Sequence, residues 1–187
     1  RYPLDLAKLY EAVRLEGEPR LRVSKLVDLY EATVRHLALI GLAAYRDLGK
    51  SDANVDAARA ELARPSLGHW VALLKALDGT LQGEFPLLQP PLNKRHRDDP
   101  IAAAVEIMAP MAGKGVPKRI RFSFFLDLVV EFRNRKIGHG SLSPAEGRRA
   151  REPLEAALAW WLEQLAVLRD RPLIYIRQVE WRDPHYL

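Results

Sequence analysis

The sequence predicts an all-α fold: a helical bundle of about five to seven helices, with two long antiparallel helices and a short C-terminal β-strand or arm. Three observations predict it. Apolar residues recur at helical spacing through most of the chain. Start and stop signals (Ser, Asp or Pro before, Gly or Pro after) cut that pattern into segments. A single stretch, Leu173–Trp181, is rich enough in β-branched and aromatic residues to read as a strand.

The elements follow in order. Leu4–Leu15 reads as a short amphipathic helix stopped by Gly17 and Pro19. Arg20–Leu48 is a long helix with the stripe Val23, Leu26, Val27, Tyr30, Val34, Leu37 and Gly41, closed by Gly49. Asp52–Ala63 is a short Ala-rich helix ending before Pro65. Ser66 caps a helix that runs through Leu81. Glu84–Asp98 is a loop, because Pro86, Pro90 and Pro91 forbid regular structure and Asn93–Arg97 is basic. Asp99 and Pro100 open a helix to about Met111. Gly113–Lys118 is a second basic loop, and an apolar helix from about Arg119 to Ile137 follows it. Ser143-Pro144-Ala145-Glu146 is a capping box with proline at the first position. It starts a final helix with the stripe Leu154, Leu158, Trp161, Leu165 and Leu168, ended by Pro172.

The chain has 187 residues, 48% of them hydrophobic, enough for one buried core. Residues 1–171 are read as the bundle and 172–187 as the arm, or as the start of a following domain. Residue 1 is Arg, which suits a domain excised from a longer polypeptide. The absence of cysteine excludes disulfides and thiolate metal sites and agrees with a cytoplasmic location. The longest apolar run, Leu37–Tyr45, is interrupted by Gly41 and is too short to cross a bilayer. A formal net charge of +5 admits an anionic partner, although a basic soluble surface has the same signature. No histidine pair has zinc-ligand spacing with a carboxylate, and no phosphate loop, dinucleotide fingerprint or nucleophile elbow occurs, so neither metal nor cofactor is expected.

Chemistry concentrates at Phe132-Arg133-Asn134-Arg135-Lys136-Ile137-Gly138-His139-Gly140. The stripe Phe122, Leu126, Val129 and Val130 faces the core, and its continuation reaches Arg133 and Asn134 rather than another Leu. A cation ending a buried stripe is costly unless it is paired or faces a cleft. Two readings stay open. In one, Arg133 pairs with Asp127, Glu131 or a glutamate on a neighbouring helix. His139 then caps the helix end, and Gly138 and Gly140 only serve a left-handed turn. In the other, Arg133, Asn134 and His139 form a site. Of the remaining histidines, His36 is read as a core-edge or surface residue, His69 as structural, His96 as part of a solvated loop and His185 as part of the tail.

Arg133-Asn134, with five residues between Arg133 and His139, resembles the R-x(4–6)-H signature of the HEPN superfamily. The Gly138-His139-Gly140 flank is similar to family members found in bacterial multidomain conflict and signalling proteins. The resemblance implies a small helical bundle. It also implies, for many members, metal-independent cleavage of RNA at a composite site shared by a homodimer.

Such cleavage needs a base for the ribose 2′-OH, an acid for the leaving 5′-oxygen and a cation for the phosphorane-like charge. His139 suits the acid or base role, since imidazole ordinarily titrates at about 6.5. Arg133 suits the phosphate role because its planar fork engages two oxygens. Asn134 would orient His139 or donate to a phosphate oxygen. Arg135, Lys136, Arg148, Arg149 and Arg151 are candidate nucleic-acid contacts. The last three fall in the first turns of the final helix, where the macrodipole disfavours cations, so either an anion or plain solvation accounts for them. The alternative function is a non-catalytic dimerisation or RNA-binding module of a larger protein.

Overall fold

The computed structural model describes residues 3–170; the strand expected at 173–181, the rest of the arm and His185 lie outside the described residues. The fold is an all-α helical bundle, 72% helical, with a two-stranded sheet as its only other regular element among the described residues.

Chain order is α1 (Leu4–Leu15), α2 (Pro19–Asp47), α3 (Ala53–Ala60), α4 (Leu67–Leu81), β1 (Arg95–His96), α5 (Pro100–Met111), β2 (Ile120–Arg121), α6 (Phe122–Phe132), a π turn (Arg133–Ile137), α7 (Pro144–Gln164) and α8 (Ala166–Asp170). Eight α-helices exceed the expected five to seven because the final helix breaks. Leu165 leaves helical geometry at φ −85°, ψ 73°, yet Leu165 and Leu168 stay buried, so the apolar stripe continues past the break into α8. The expected 52–63 helix is also divided, its last turn tightening to a 3₁₀ turn, Glu61–Ala63, before Pro65.

Local chemistry accounts for the helix starts. Pro19 stands at the first turn of α2, and Glu18 takes the capping role, its carboxylate accepting from Leu21 N–H at 2.7 Å. Ser66 and Ser143 form reciprocal capping boxes with His69 and Glu146. Asp99 caps α5, Oδ1 accepting from Ala102 N–H at 3.0 Å. α6 begins at Phe122 rather than Arg119, because Ile120 and Arg121 pair antiparallel with His96 and Arg95. Its first free N–H groups are taken by the 92–94 loop: Phe122 N–H donates to Lys94 O at 3.2 Å and Ser123 N–H to Leu92 O at 3.0 Å. The proline-rich loop expected to lack regular structure thus supplies one strand.

The core is organised on α2. All seven residues of its predicted stripe are buried. At the centre Tyr30 meets Phe125 edge-on at 6.4 Å and Trp161 at 5.8 Å, and Phe122 meets Trp161 at 5.4 Å. Each such pair is worth about 0.5–1.5 kcal/mol beyond its buried area. Tyr30 Oη donates to Leu126 O at 2.8 Å, so the one polar atom of the ring is satisfied.

Contacts along α2 give the directions of its neighbours. α6 runs antiparallel to it, from Phe125 and Leu126 beside Tyr30 to Ile137 beside Leu21. α7 runs parallel to it: Gly147 rests on Arg20, Arg22 pairs with Glu155 at 2.7 Å, and Tyr30 meets Trp161. The two longest helices are thus not the antiparallel pair expected, because the chain reverses once between α6 and α7 and α6 is the antiparallel neighbour. The end of α6 and the start of α7 therefore gather at the N-terminal end of α2.

Candidate functional site

At that end of the bundle the apolar stripe of α6 finishes at buried Phe132, and the helix widens. Residues 133–137 form a π turn rather than the continuous α-helix expected to Ile137. Gly138 N–H donates to Arg133 O at 2.8 Å, an i→i+5 bond. Wide turns of this kind are frequent at functional sites.

The three cations of the turn spread over three different elements. Arg133 Nε lies 3.9 Å from Glu31 Oε2 on α2, and its side chain remains 41% exposed. Arg135 turns toward the end of α5, with Nε 3.8 Å from Glu131 and its guanidinium against Gly113. Lys136 turns toward α7 and donates to Glu146 Oε1 at 2.7 Å. Each has a carboxylate partner. For Arg133 this is the expected alternative of a glutamate on a neighbouring helix.

Electrostatics at Arg133 are acidic. Burial pushes the Asp28 carboxyl up, nearby Glu31 pushes it further, and Arg133 pulls it back. Arg35 also pairs with Glu31, one turn along α2. The Lys136 ammonium and the Ser143 N–H hold the Glu146 carboxyl at about 2.

Asn134 is exposed, and its Oδ1 accepts from Arg133 Nη1 at 3.4 Å, so it steadies the arginine rather than the histidine. His139 is exposed, and its ring has no hydrogen-bond partner among the described residues. It bonds no helix-end carbonyl, and no hydrogen bond links it to Arg133 or Asn134. Gly140 takes the left-handed conformation at φ +63°, whereas Gly138 is helical at φ −59°; only one of the two glycines serves the turn.

Beside the turn lies a shallow cleft of about 310 Å³, lined by Arg20, Leu21, Ser24, Lys136, Ile137 and Gly140. Leu21 on its rim is 55% exposed. Gly147 packs directly on Arg20, so Arg148 and Arg149, both exposed, share this end of the bundle. Arg151 is half-buried and pairs with Glu152 at 3.0 Å. The five predicted nucleic-acid contacts do not form one track: Arg135 lies on the α5 side, and the others on the α7 side.

The remaining histidines divide. His69 completes the capping box of Ser66, and His36 Nδ1 bonds Ala32 O at 2.9 Å on a half-buried face. His96 is not solvated: it is 4% exposed, bonds Asp99 Oδ2 through Nδ1 at 2.8 Å, and packs against Trp160 and Phe122. Its strand pairing with Ile120 draws it inward. A second group missed from sequence is buried Asp78. Its Oδ1 accepts from Leu88 N–H at 3.2 Å, its Oδ2 has no partner, and burial pushes its carboxyl up. The available signal was its place four residues after Leu74, on the apolar stripe of α4.

No group of three or more His, Asp or Glu among the described residues is arranged to hold a metal ion, and no helix among them is long and apolar enough to cross a membrane. Comparison with family models, curated proteins and solved structures gave no match.

Proposed function

We propose that this chain is a HEPN-like helical domain, and a candidate metal-independent endoribonuclease whose site is completed by a second copy. The observation that carries the reading is the π turn: it ends an apolar helix, presents Arg133 and Asn134, and releases His139 into solvent with its ring unpartnered. Both ring nitrogens are therefore open to a substrate or to a second copy. The cleft lined by Gly140, with exposed Leu21 on its rim, offers apolar surface beside the segment that carries His139. A twofold axis there would bring two copies of His139 and Arg133 together.

In this reading one imidazole takes the 2′-OH proton and the other protonates the leaving 5′-oxygen. The Arg133 fork stabilises charge on the phosphate. Asn134 holds that guanidinium in place.

A second reading has an observation of its own. The Glu31 carboxylate beside Arg133 favours a non-catalytic dimerisation or RNA-binding module, in which the arginine ties α6 to α2.

The experiment is incubation of purified protein with structured and single-stranded RNA in EDTA. The nuclease reading expects cleavage that His139→Ala reduces at least a hundredfold, within the range for loss of a general acid or base. Equal background cleavage by both proteins overturns it and leaves the second reading. A strict monomer at high concentration in sedimentation analysis overturns the dimeric form of both.

A further inference from the structure

The two basic loops singled out in the sequence, which the proposed site does not use, are brought side by side by the β1–β2 pairing. Residues 94–99 and 114–121 carry seven Lys and Arg against two Asp, a formal net charge of +5. That equals the net charge of the whole chain, so the remainder is formally neutral. The formal excess of positive charge is thus concentrated in these two loops.

Ion pairing differs in degree between the two ends. Arg133, Arg135, Lys136 and Arg151 at the motif end have carboxylate partners, and exposed Arg148 and Arg149 have none among the described residues. On the ribbon loops Arg97 pairs with Asp98 and Lys114 with Glu131. Arg95, Lys118, Arg119 and Arg121 on the ribbon are exposed and have none among the described residues. Arg95 and Arg121 are direct cross-strand partners. Like charges facing each other across a strand pair destabilise it, so folding alone disfavours this arrangement.

Arg95, Arg97, Lys118 and Arg119 line a groove of about 500 Å³, together with the carboxylates of Asp98 and Glu106 and the apolar Val116 and Ile120. Arg121 lies just outside it, on the same strand pair. Its geometry is held firmly. Asp98 turns the chain at φ +56°, and buried His96 anchors β1 through Asp99 and against Trp160. The groove therefore presents its charges on a fixed frame.

We infer that the β1–β2 ribbon is a docking groove for the phosphodiester backbone of single-stranded nucleic acid. The unpaired guanidinium groups of Arg95 and Arg119 at a concave surface, with Arg121 beside them, suit a chain of phosphates, which each can engage through a pair of hydrogen bonds. A lipid surface fits less well. Membrane-surface segments add large apolar side chains to their cations, and the one large apolar residue exposed here is Val116, at 44%. The inference stands on the ribbon alone and does not require cleavage at His139.

The test is fluorescence anisotropy with a labelled single-stranded oligoribonucleotide, its deoxy counterpart, and sedimentation with phosphatidylserine vesicles. The quadruple variant Arg95→Gln, Lys118→Gln, Arg119→Gln, Arg121→Gln is compared with an equal charge change elsewhere: Arg14→Gln, Arg46→Gln, Arg59→Gln, Arg64→Gln. Expected is at least tenfold weaker oligonucleotide binding by the ribbon variant and less than threefold change in the control. The slope of log affinity against log salt should flatten by about two to three, at roughly 0.7 per phosphate for single strands. Arg95→Gln alone should lose affinity without losing thermal stability, because it removes a repulsion. This keeps the test sound should the quadruple variant unfold.

Unchanged binding by the ribbon variant overturns the inference. So does equal loss in the control, or wild-type binding to vesicles at concentrations where neither oligonucleotide binds. Failure of cleavage in EDTA with ribbon-dependent binding intact would reject the nuclease reading alone.

Discussion

Arg133 and Glu31 face each other across the junction of α6 and α2, Nε to Oε2 at 3.9 Å, with the Glu31 side chain largely buried and the Arg133 side chain partly exposed. A separation this long is a loose pair, and a partly exposed one contributes about 0–1 kcal/mol. Glu31 therefore restrains Arg133 without sequestering it. Glu31→Gln is expected to shift the melting temperature little and to tighten RNA binding about three- to tenfold, by removing a charge that competes with phosphate. Anisotropy titration of the two proteins checks this; weaker binding by the variant would assign Arg133 to scaffolding.

The Lys136–Glu146 pair ties the motif turn to the first turn of α7. The folded carboxyl titrates at about 2, below its ordinary 4.5. A depressed acid stabilises the fold above its unfolded value, and that contribution is lost as pH falls from about 4.5 toward about 2. The melting-temperature gap between wild type and Glu146→Gln should be widest above about pH 5 and close as pH approaches 2. Circular dichroism melts across that range measure it, and a pH-independent gap would show that the capping bond, not the charge, matters.

At Gly147 a Cβ would lie 3.0 Å from Arg20 Cγ and 3.1 Å from Arg20 N. The backbone atoms cannot yield as a side chain does. Gly147→Ala is expected to cost about 1–3 kcal/mol by overpacking, read by urea denaturation. It should also shift amide resonances of Arg20 and Leu21, since Gly147 packs on the α2 end that lines the cleft.

Tyr30→Phe keeps the aromatic packing with Trp161 and Phe125 but deletes the bond to Leu126 O. The expected loss is about 1 kcal/mol, because the carbonyl can still accept within its helix. Chemical denaturation measures it, and a loss above about 3 kcal/mol would mean that the ring itself repacks.

Much of the architecture was written locally. The α2 stripe, both capping boxes and the Asp99–Pro100 start depend on residues within one or two turns, and the pattern exposes them. His96 was misread because its burial comes from pairing with Ile120, twenty-four positions away, which no local window contains. The start of α6 moved for the same reason. At the motif, residue types were visible but directions were not. Arg133, Arg135 and Lys136 are near neighbours in sequence, yet a wide turn sends them to α2, α5 and α7. The charge imbalance between the two basic loops and the rest of the chain was countable from the beginning. That the loops touch was not.

The turn closed by Gly138 on Arg133 holds one residue more than an α-helical turn would. In an ordinary helix Ile137 would make that bond. With one residue fewer between them, Gly138 could keep its bond to the Arg133 carbonyl as an ordinary α-helical turn. The added residue between the arginine and the histidine is thus taken up inside the helix itself, not in the loop that follows.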